Sequence, residues 1–145
     1  IKNLSIGLAS SEGKSWIHSA GRFKYGLSGI QDHFLESMGE AGKSVSDYLG
    51  NGERIIYINV MNNLSTDCDC NGYPDPAKMK DVGILASTDP VALDKACVDF
   101  VYAQKEGDAD VLVWEIEQLN GLHTLDYAEE IGLGSQDYVI VSIDD

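Results

Sequence analysis

Residues 54–62, R-I-I-Y-I-N-V-M-N, leave the rest of the chain little choice of architecture. They are β-branched and almost continuously apolar, the pattern of a strand covered on both faces. Such a strand needs a partner layer above and below it. One candidate layer comes just before it, where Ile30, Phe34, Met38, Ala41, Val45 and Leu49 recur every third or fourth position. That period places them on one face of a helix and leaves Glu36, Glu40, Lys43 and Asp47 mostly outside. Gly50-Asn51-Gly52 ends the helix, because Gly and Asn adopt the left-handed conformation that closes helices.

The remaining segments fit the same plan. Residues 4–9 read as a short buried strand, and residues 10–29, rich in Gly and Ser, as the longest irregular stretch. Residues 63–80 form a second polar loop, and residues 82–86 another short apolar strand. Asp89-Pro90 starts a helix: Asp accepts from the first free N–H groups, and Pro gives up a donor that would be unpaired anyway. Leu93, Cys97, Phe100 and Val101 form its buried stripe. A helix over residues 109–119 offers Leu112, Ile116 and Leu119, and Thr124 caps a short helix through Ile131 that Gly132 and Gly134 close. Residues 138–143, Y-V-I-V-S-I, end the chain as a strand. The order predicts an α/β layered domain over residues 1–145, with a mixed or largely parallel sheet and about four helices. No internal repeat breaks that order.

Charge restricts the partners. Ten Lys and Arg against 24 Asp and Glu leave a net charge of −14, a surface that repels phosphates and argues against nucleic acid or anionic membrane. No apolar run is long enough to span a bilayer, and the N-terminus lacks a signal-peptide pattern. Three clustered cysteines do not make a disulfide framework, which fits a cytoplasmic location.

The most unusual stretch is Thr66-Asp67-Cys68-Asp69-Cys70-Asn71-Gly72. Two thiols two residues apart point the same way on an extended backbone, so both can reach one zinc or iron ion. Further ligands must come from elsewhere, and His18, His33 and His123 are the only imidazoles. Asp67 and Asp69 raise the thiol pKa values by like-charge repulsion, so without a metal these cysteines are poor nucleophiles. The oxygens support a competing reading. Asp67-x-Asp69-x-Asn71-Gly72 matches the first half of a calcium loop, with Asp75 at the ninth position. Lys78 then stands where a bidentate Glu belongs, and Pro74 and Pro76 intrude. The bland reading is a surface turn with incidental thiols.

Gly7 to Gly13 followed by Lys14-Ser15 resembles a phosphate-binding loop but carries one residue too many between the glycines, with a repelling Glu12 inside. His18, with Arg22 and Lys24 close behind, forms a small basic group that suits an anion or substrate contact. His33 reads as a helix-boundary residue and His123 as part of a turn. Cys97 reads as a small core residue, Asp89 as a cap and Asp94 as a solvated first-turn acid.

C-D-C-N-G-Y-P-D-P-A-K-M-K-D-V-G-I-L-A-S-T-D-P-V-A-L-D-K-A-C-V-D-F, residues 68–100, resembles the C-terminal half of a bacterial and archaeal family known as "domain of unknown function 362". S-S-E-G-K with the following H-S, Q-D-H-F-L-E-S-M-G-E-A-G-K-S-V, Y-I-N-V-M-N-N-L-S, N-G-L-H-T-L and E-E-I-G-L-G-S agree with it, so the resemblance covers nearly the whole chain. The family's activity is unassigned. The resemblance implies a longer protein, with an N-terminal half that completes the sheet and supplies more of any pocket. Many members carry a ferredoxin-like domain with iron–sulfur clusters, inserted between the segment matching His18-Ser19 and the helix matching residues 31–45. This chain has no C-x-x-C-x-x-C run there, so cluster chemistry does not carry over. The insertion point suggests that the His18 loop and the Cys68-Cys70 loop border one site.

Two functional expectations follow. In the first, the chain is part of a metal- or redox-linked protein: Cys68 and Cys70 ligate, with Asp67 and Asp69 beside them, His18 is a third ligand or acid/base, and Arg22 and Lys24 hold a small anionic substrate. In the second, it is a non-catalytic accessory domain that docks a ferredoxin-like partner, its acidic surface steering basic groups.

Overall fold

The computed structural model describes residues 1–25, 29–67, 71–104 and 107–143. Its helices are α1 (Lys2–Ser5), α2 (Ser11–His18), α3 (Gln31–Tyr48), α4 (Pro90–Tyr102), α5 (Asp110–Gln118) and α6 (His123–Glu130). Its strands are β1 (Tyr57–Met61) and β2 (Gly83–Ser87). The fold is mixed α/β with helices dominating, six among the described residues rather than about four. No helix among the described residues is long and apolar enough to cross a membrane.

Helix α3 is the element on which α1, α2 and α6 pack, and its sequence explains why. Leu35, Met38, Gly39, Gly42 and Ser46 make its buried face, with Phe34, Ala41 and Val45 half-buried beside them. Gly39 allows close approach to α6, and Gly42 faces α1 at ordinary contact distance. A Cβ on Gly39 would stand 3.3 Å from the Tyr127 ring of α6, and one on Gly42 would meet Leu4 of α1 at 3.5 Å. The buried stripe is therefore rotated from the one that large apolar residues alone predict. Helix α1 also packs on α3, and α2 packs on α3 and on no other helix or strand described.

Among the described residues the sheet is neither large nor parallel, against the expectation of a mixed or largely parallel one. β1 and β2 form a two-stranded antiparallel pair with Tyr57 opposite Ser87 and Met61 opposite Gly83. The described residues of the 62–82 connection hold no helix, and parallel pairing requires a long crossover, usually helical. Two other predicted strands do not form. Residues 4–9 begin inside α1, where the Ser5 N–H and Oγ–H both donate to the Ile1 carbonyl (3.1 Å each). That turn sends Leu4 to one core and Ile6 and Ala9 to another. Residues 138–143 run without strand pairing and with exposed side chains.

Coverage of β1 on both faces is likewise corrected. Met61 is buried in a core that includes Leu85, Val101 and Leu112 of β2, α4 and α5, half-buried Tyr57 packs on a second core of Leu4, Val91 and Leu133, and half-buried Asn59 meets Asp94 of α4. Ile58 and Val60, on the other face, are exposed. Helix α4 forms as its cap predicts: Asp89 Oδ1 accepts from the N–H groups of Val91 (2.8 Å) and Ala92 (3.0 Å). Its Oδ2 also accepts from Ser135 N–H (2.9 Å), tying the start of α4 to the segment after α6. Thr124 caps nothing. It is buried within α6, which begins one residue earlier after Leu122. Gly132, at φ +74°, closes α6 in the left-handed conformation, as predicted.

Candidate functional site

Residues 62–82 leave and re-enter the sheet at one end, and their base is tightly bonded. Val82 N–H donates to Met61 O (2.9 Å) and Lys78 N–H to Leu64 O (2.7 Å). Asp81 takes Asn62 Nδ2 (2.5 Å) on one oxygen and Asn63 N–H (2.9 Å) on the other. Met79 anchors the return arm in the core beside Leu64 and Val82. Further out, Asp75 N–H donates to Asp67 Oδ2 (2.5 Å) and Tyr73 N–H to Asn71 Oδ1 (3.1 Å). Asp75 also pairs with Lys78 (3.0 Å). A calcium ion would therefore compete with a backbone donor for Asp67 and with an ammonium for Asp75. Cys68, Asp69 and Cys70 lie outside the described residues, so their predicted role as ligands has no geometry to set beside it. Among the described residues no group of three or more His, Cys, Asp or Glu side chains is placed to hold a metal ion.

His18, Arg22 and Lys24 occupy another part of the fold. The predicted long irregular segment contains α2, which Ser10 caps by accepting from Gly13 N–H (3.1 Å). This also removes the strand that a phosphate-binding loop would follow. His18 ends α2, stacked on Phe34 of α3 with ring centroids 4.8 Å apart. Its Nδ1 meets the Lys14 carbonyl at 2.7 Å. A carbonyl can only accept, so Nδ1 carries the proton and Nε2 is the atom left for a ligand or a substrate.

Beyond His18 the chain turns sharply, with Ala20 at φ +49° and Gly21 at φ +75°. Buried Ser19 braces the turn: its Oγ–H donates to Phe23 O (3.1 Å) and its Oγ accepts from Phe23 N–H (3.0 Å). Arg22 stands exposed on this turn. Lys24 pairs with Glu12 (3.4 Å), which weakens it as an anion contact. Helix α2 touches neither strand, so His18 and the 62–82 loop are held on different elements.

Between α2 and α3 lies an open cleft of about 470 Å³, lined by Trp16, Ile17, Arg22, His33, Glu36 and Glu40 among others. Two of its carboxylates are held from behind by α6. Glu36 Oε1 bonds His123 Nε2 (3.1 Å), and Glu40 Oε1 accepts from Tyr127 Oη–H (3.0 Å). That bond to Glu40 pushes the Tyr127 phenol above its ordinary pKa. Asn120 Nδ2 donates to Asp32 (2.9 Å) and Gln31 Nε2 to Leu119 O (2.9 Å), pinning the start of α3 to the chain before α6. These pairs are 87 or 88 residues apart. The only signal in the sequence is that Glu36 and Glu40 share one helix face.

On the inner face of the sheet, Asn59 Nδ2 donates to Asp94 Oδ1 (2.8 Å) and lies 3.4 Å from Cys97 Sγ. Asp94 is thus bonded to the sheet rather than solvated. Cys97 packs against the core as predicted, and burial raises its thiol pKa despite the Asn59 contact.

No curated protein and no solved structure matches the chain. Residues 1–99, from α1 through most of α4, match the family described as "Domain of unknown function (DUF362)". That span takes in both the α2–α3 cleft and the 62–82 loop, and the chain belongs to this family.

Proposed function

We propose that this chain acts as a docking module that seats another folded unit on the outer face of β1 and β2, with the 62–82 loop at the rim. The observation that carries the reading is an uncovered apolar face. Ile58, Val60 and Ile84 are 59%, 60% and 71% exposed, and Ile56 just before β1 is 63% exposed. A two-stranded sheet is marginal on its own, and contiguous exposed apolar residues mark interaction surfaces. Covering each of the four would contribute about 1 kcal/mol or more. The partner meets an apolar patch on a chain of net charge −14, so it presents apolar groups rimmed by Lys and Arg. A second copy would oppose equal negative charge. In this reading Cys68 and Cys70 are thiolate ligands for a zinc or iron ion, the other ligands coming from the partner side.

Two experiments test the two parts. A photo-crosslinking residue placed at Ile58 in cells should yield one discrete adduct, absent when it is placed at exposed Gln118 and lost with Ile84→Glu. The captured protein should be basic around its contact. No adduct, or an adduct of two copies of this chain, overturns docking. Metal analysis of anaerobically purified protein should find zinc or iron that disappears in Cys68→Ser/Cys70→Ser. Absence of metal in both, with the fold intact and the partner bound, overturns the thiolate role.

A further inference from the structure

The cleft between α2 and α3 has a chemistry of its own. One wall is α3, which presents His33, Glu36 and Glu40 on successive turns. The other is the end of α2 and its turn, which presents Trp16 and Arg22. The Trp16 indole N–H leans on Glu12 (3.4 Å), so the ring stays partly exposed at the cleft. Glu36 and Glu40 each use Oε1 on α6, and neither Oε2 has a partner among the described residues. Arg22 has no ion-pair partner among the described residues. Two oriented carboxylates, one unpaired guanidinium and an indole in one cleft offer complementary ends to a small molecule with both charges. Glu36 and Glu40 suit an ammonium, Trp16 can lie against it or against an apolar side chain, and Arg22 suits a carboxylate, which it can hold by two parallel bonds. The volume lies within the range of about 300–1,000 Å³ usual for small-molecule sites.

From this arrangement we infer that the α2–α3 cleft binds a small zwitterion of the α-amino acid or short-peptide class, its amino group at Glu36 and Glu40 and its carboxylate at Arg22. The site lies apart from the exposed sheet face: its α3 residues run from His33 to Glu40, whereas α3 meets β1 further along and on the inner side, where Ser46 Oγ accepts from Tyr57 Oη–H (3.2 Å). It requires no metal.

Trp16 supplies the readout. The exposed Trp114 is replaced in a Trp114→Phe background so that Trp16 is the only indole. Trp16 fluorescence is then titrated with L-leucine, L-leucine methyl ester, which keeps only the ammonium, and N-acetyl-L-leucine, which keeps only the carboxylate. L-leucine should bind at least about tenfold more tightly than either blocked form, since each lacks one charge-assisted contact. Arg22→Gln should bring L-leucine down to the methyl ester. Glu36→Gln/Glu40→Gln, which keeps acceptors for His123 and Tyr127, should bring it down to the N-acetyl form. Circular dichroism checks that each variant is folded. No response to any of the three compounds at millimolar concentration overturns the inference. So does a response that does not distinguish them, or one that the two sets of variants leave unchanged.

Discussion

Asp89 is the residue whose replacement should reveal most about how the fold is held. Its Oδ1 caps α4 through Val91 and Ala92 N–H, and its Oδ2 holds Ser135 N–H, so one side chain fixes a helix start and the return of the chain after α6. Losing an Asp cap costs about 0.5–2 kcal/mol. Losing a hydrogen bond to a charged group costs about 1.5–3 kcal/mol, and the lower end applies here because water can reach the partly buried site. Asp89→Ala should therefore lower unfolding free energy by about 2–4 kcal/mol, or Tm by roughly 5–15 °C. Asp89→Asn separates the two roles. Its oxygen can keep the cap while its amide faces Ser135 N–H donor to donor, so its loss should be about half as large. Gly134 gives an internal control, because a Cβ there would overlap the Asp89 carboxylate. Gly134→Ala should destabilise the natural chain and be nearly neutral in the Asp89→Ala background, a coupling that a double-mutant cycle in urea measures directly. The reasoning fails if Asp89→Ala costs under about 1 kcal/mol, or if the two substitutions add.

Two further outcomes follow from the titrating groups. Cys97, whose thiol burial pushes upward, should react with a thiol reagent at mildly alkaline pH far more slowly in folded than in urea-unfolded Cys68→Ser/Cys70→Ser protein; equal rates would show that the site is open. The Asp99 carboxyl is held below the usual carboxylate range, first by the Lys95 ammonium and also by the Tyr138 hydroxyl (2.7 Å). Because the folded value is the lower one, its contribution is present above the unfolded carboxylate pKa and lost as pH falls through the folded value. Tyr138→Phe should raise the Asp99 pKa measured by carboxyl NMR and shrink that acid-side contribution, which exposure already keeps small. An unmoved Asp99 would mean that the Tyr138 bond is absent in solution.

What could be read in the sequence were features a short segment decides alone. The cap at Asp89, the Pro at the first position of α4, the 3.6-residue period of α3 and the β-branched run of β1 all act within a few residues, and each stands where expected. The sheet could not be read that way. Whether residues 4–9 or 138–143 pair depends on a partner strand elsewhere, and without one the same apolar residues become a turn of helix or an exposed, unpaired segment. β1 was expected to be covered on both faces because its outer residues are as apolar as its inner ones, and that mismatch between composition and coverage is what makes the outer face informative.

The cleft illustrates the same limit for function. Read singly, His123 is a turn residue, and Glu36 and Glu40 are solvated acids outside the α3 stripe. They become a set only because Gly39 lets α6 lie close against α3, which brings His123 and Tyr127 behind successive carboxylates 87 residues away in the chain. Once held from behind, those carboxylates no longer swing freely in water, and the ordering that a bound ammonium would otherwise impose on them is already in place. Arg22 was legible as a basic residue in an acidic chain. Its direction was not, because that comes from the positive φ angles at Ala20 and Gly21 and from the Ser19–Phe23 bonds that turn it toward α3. The chemistry of this cleft thus resides in backbone conformation and helix spacing as much as in the charged residues themselves.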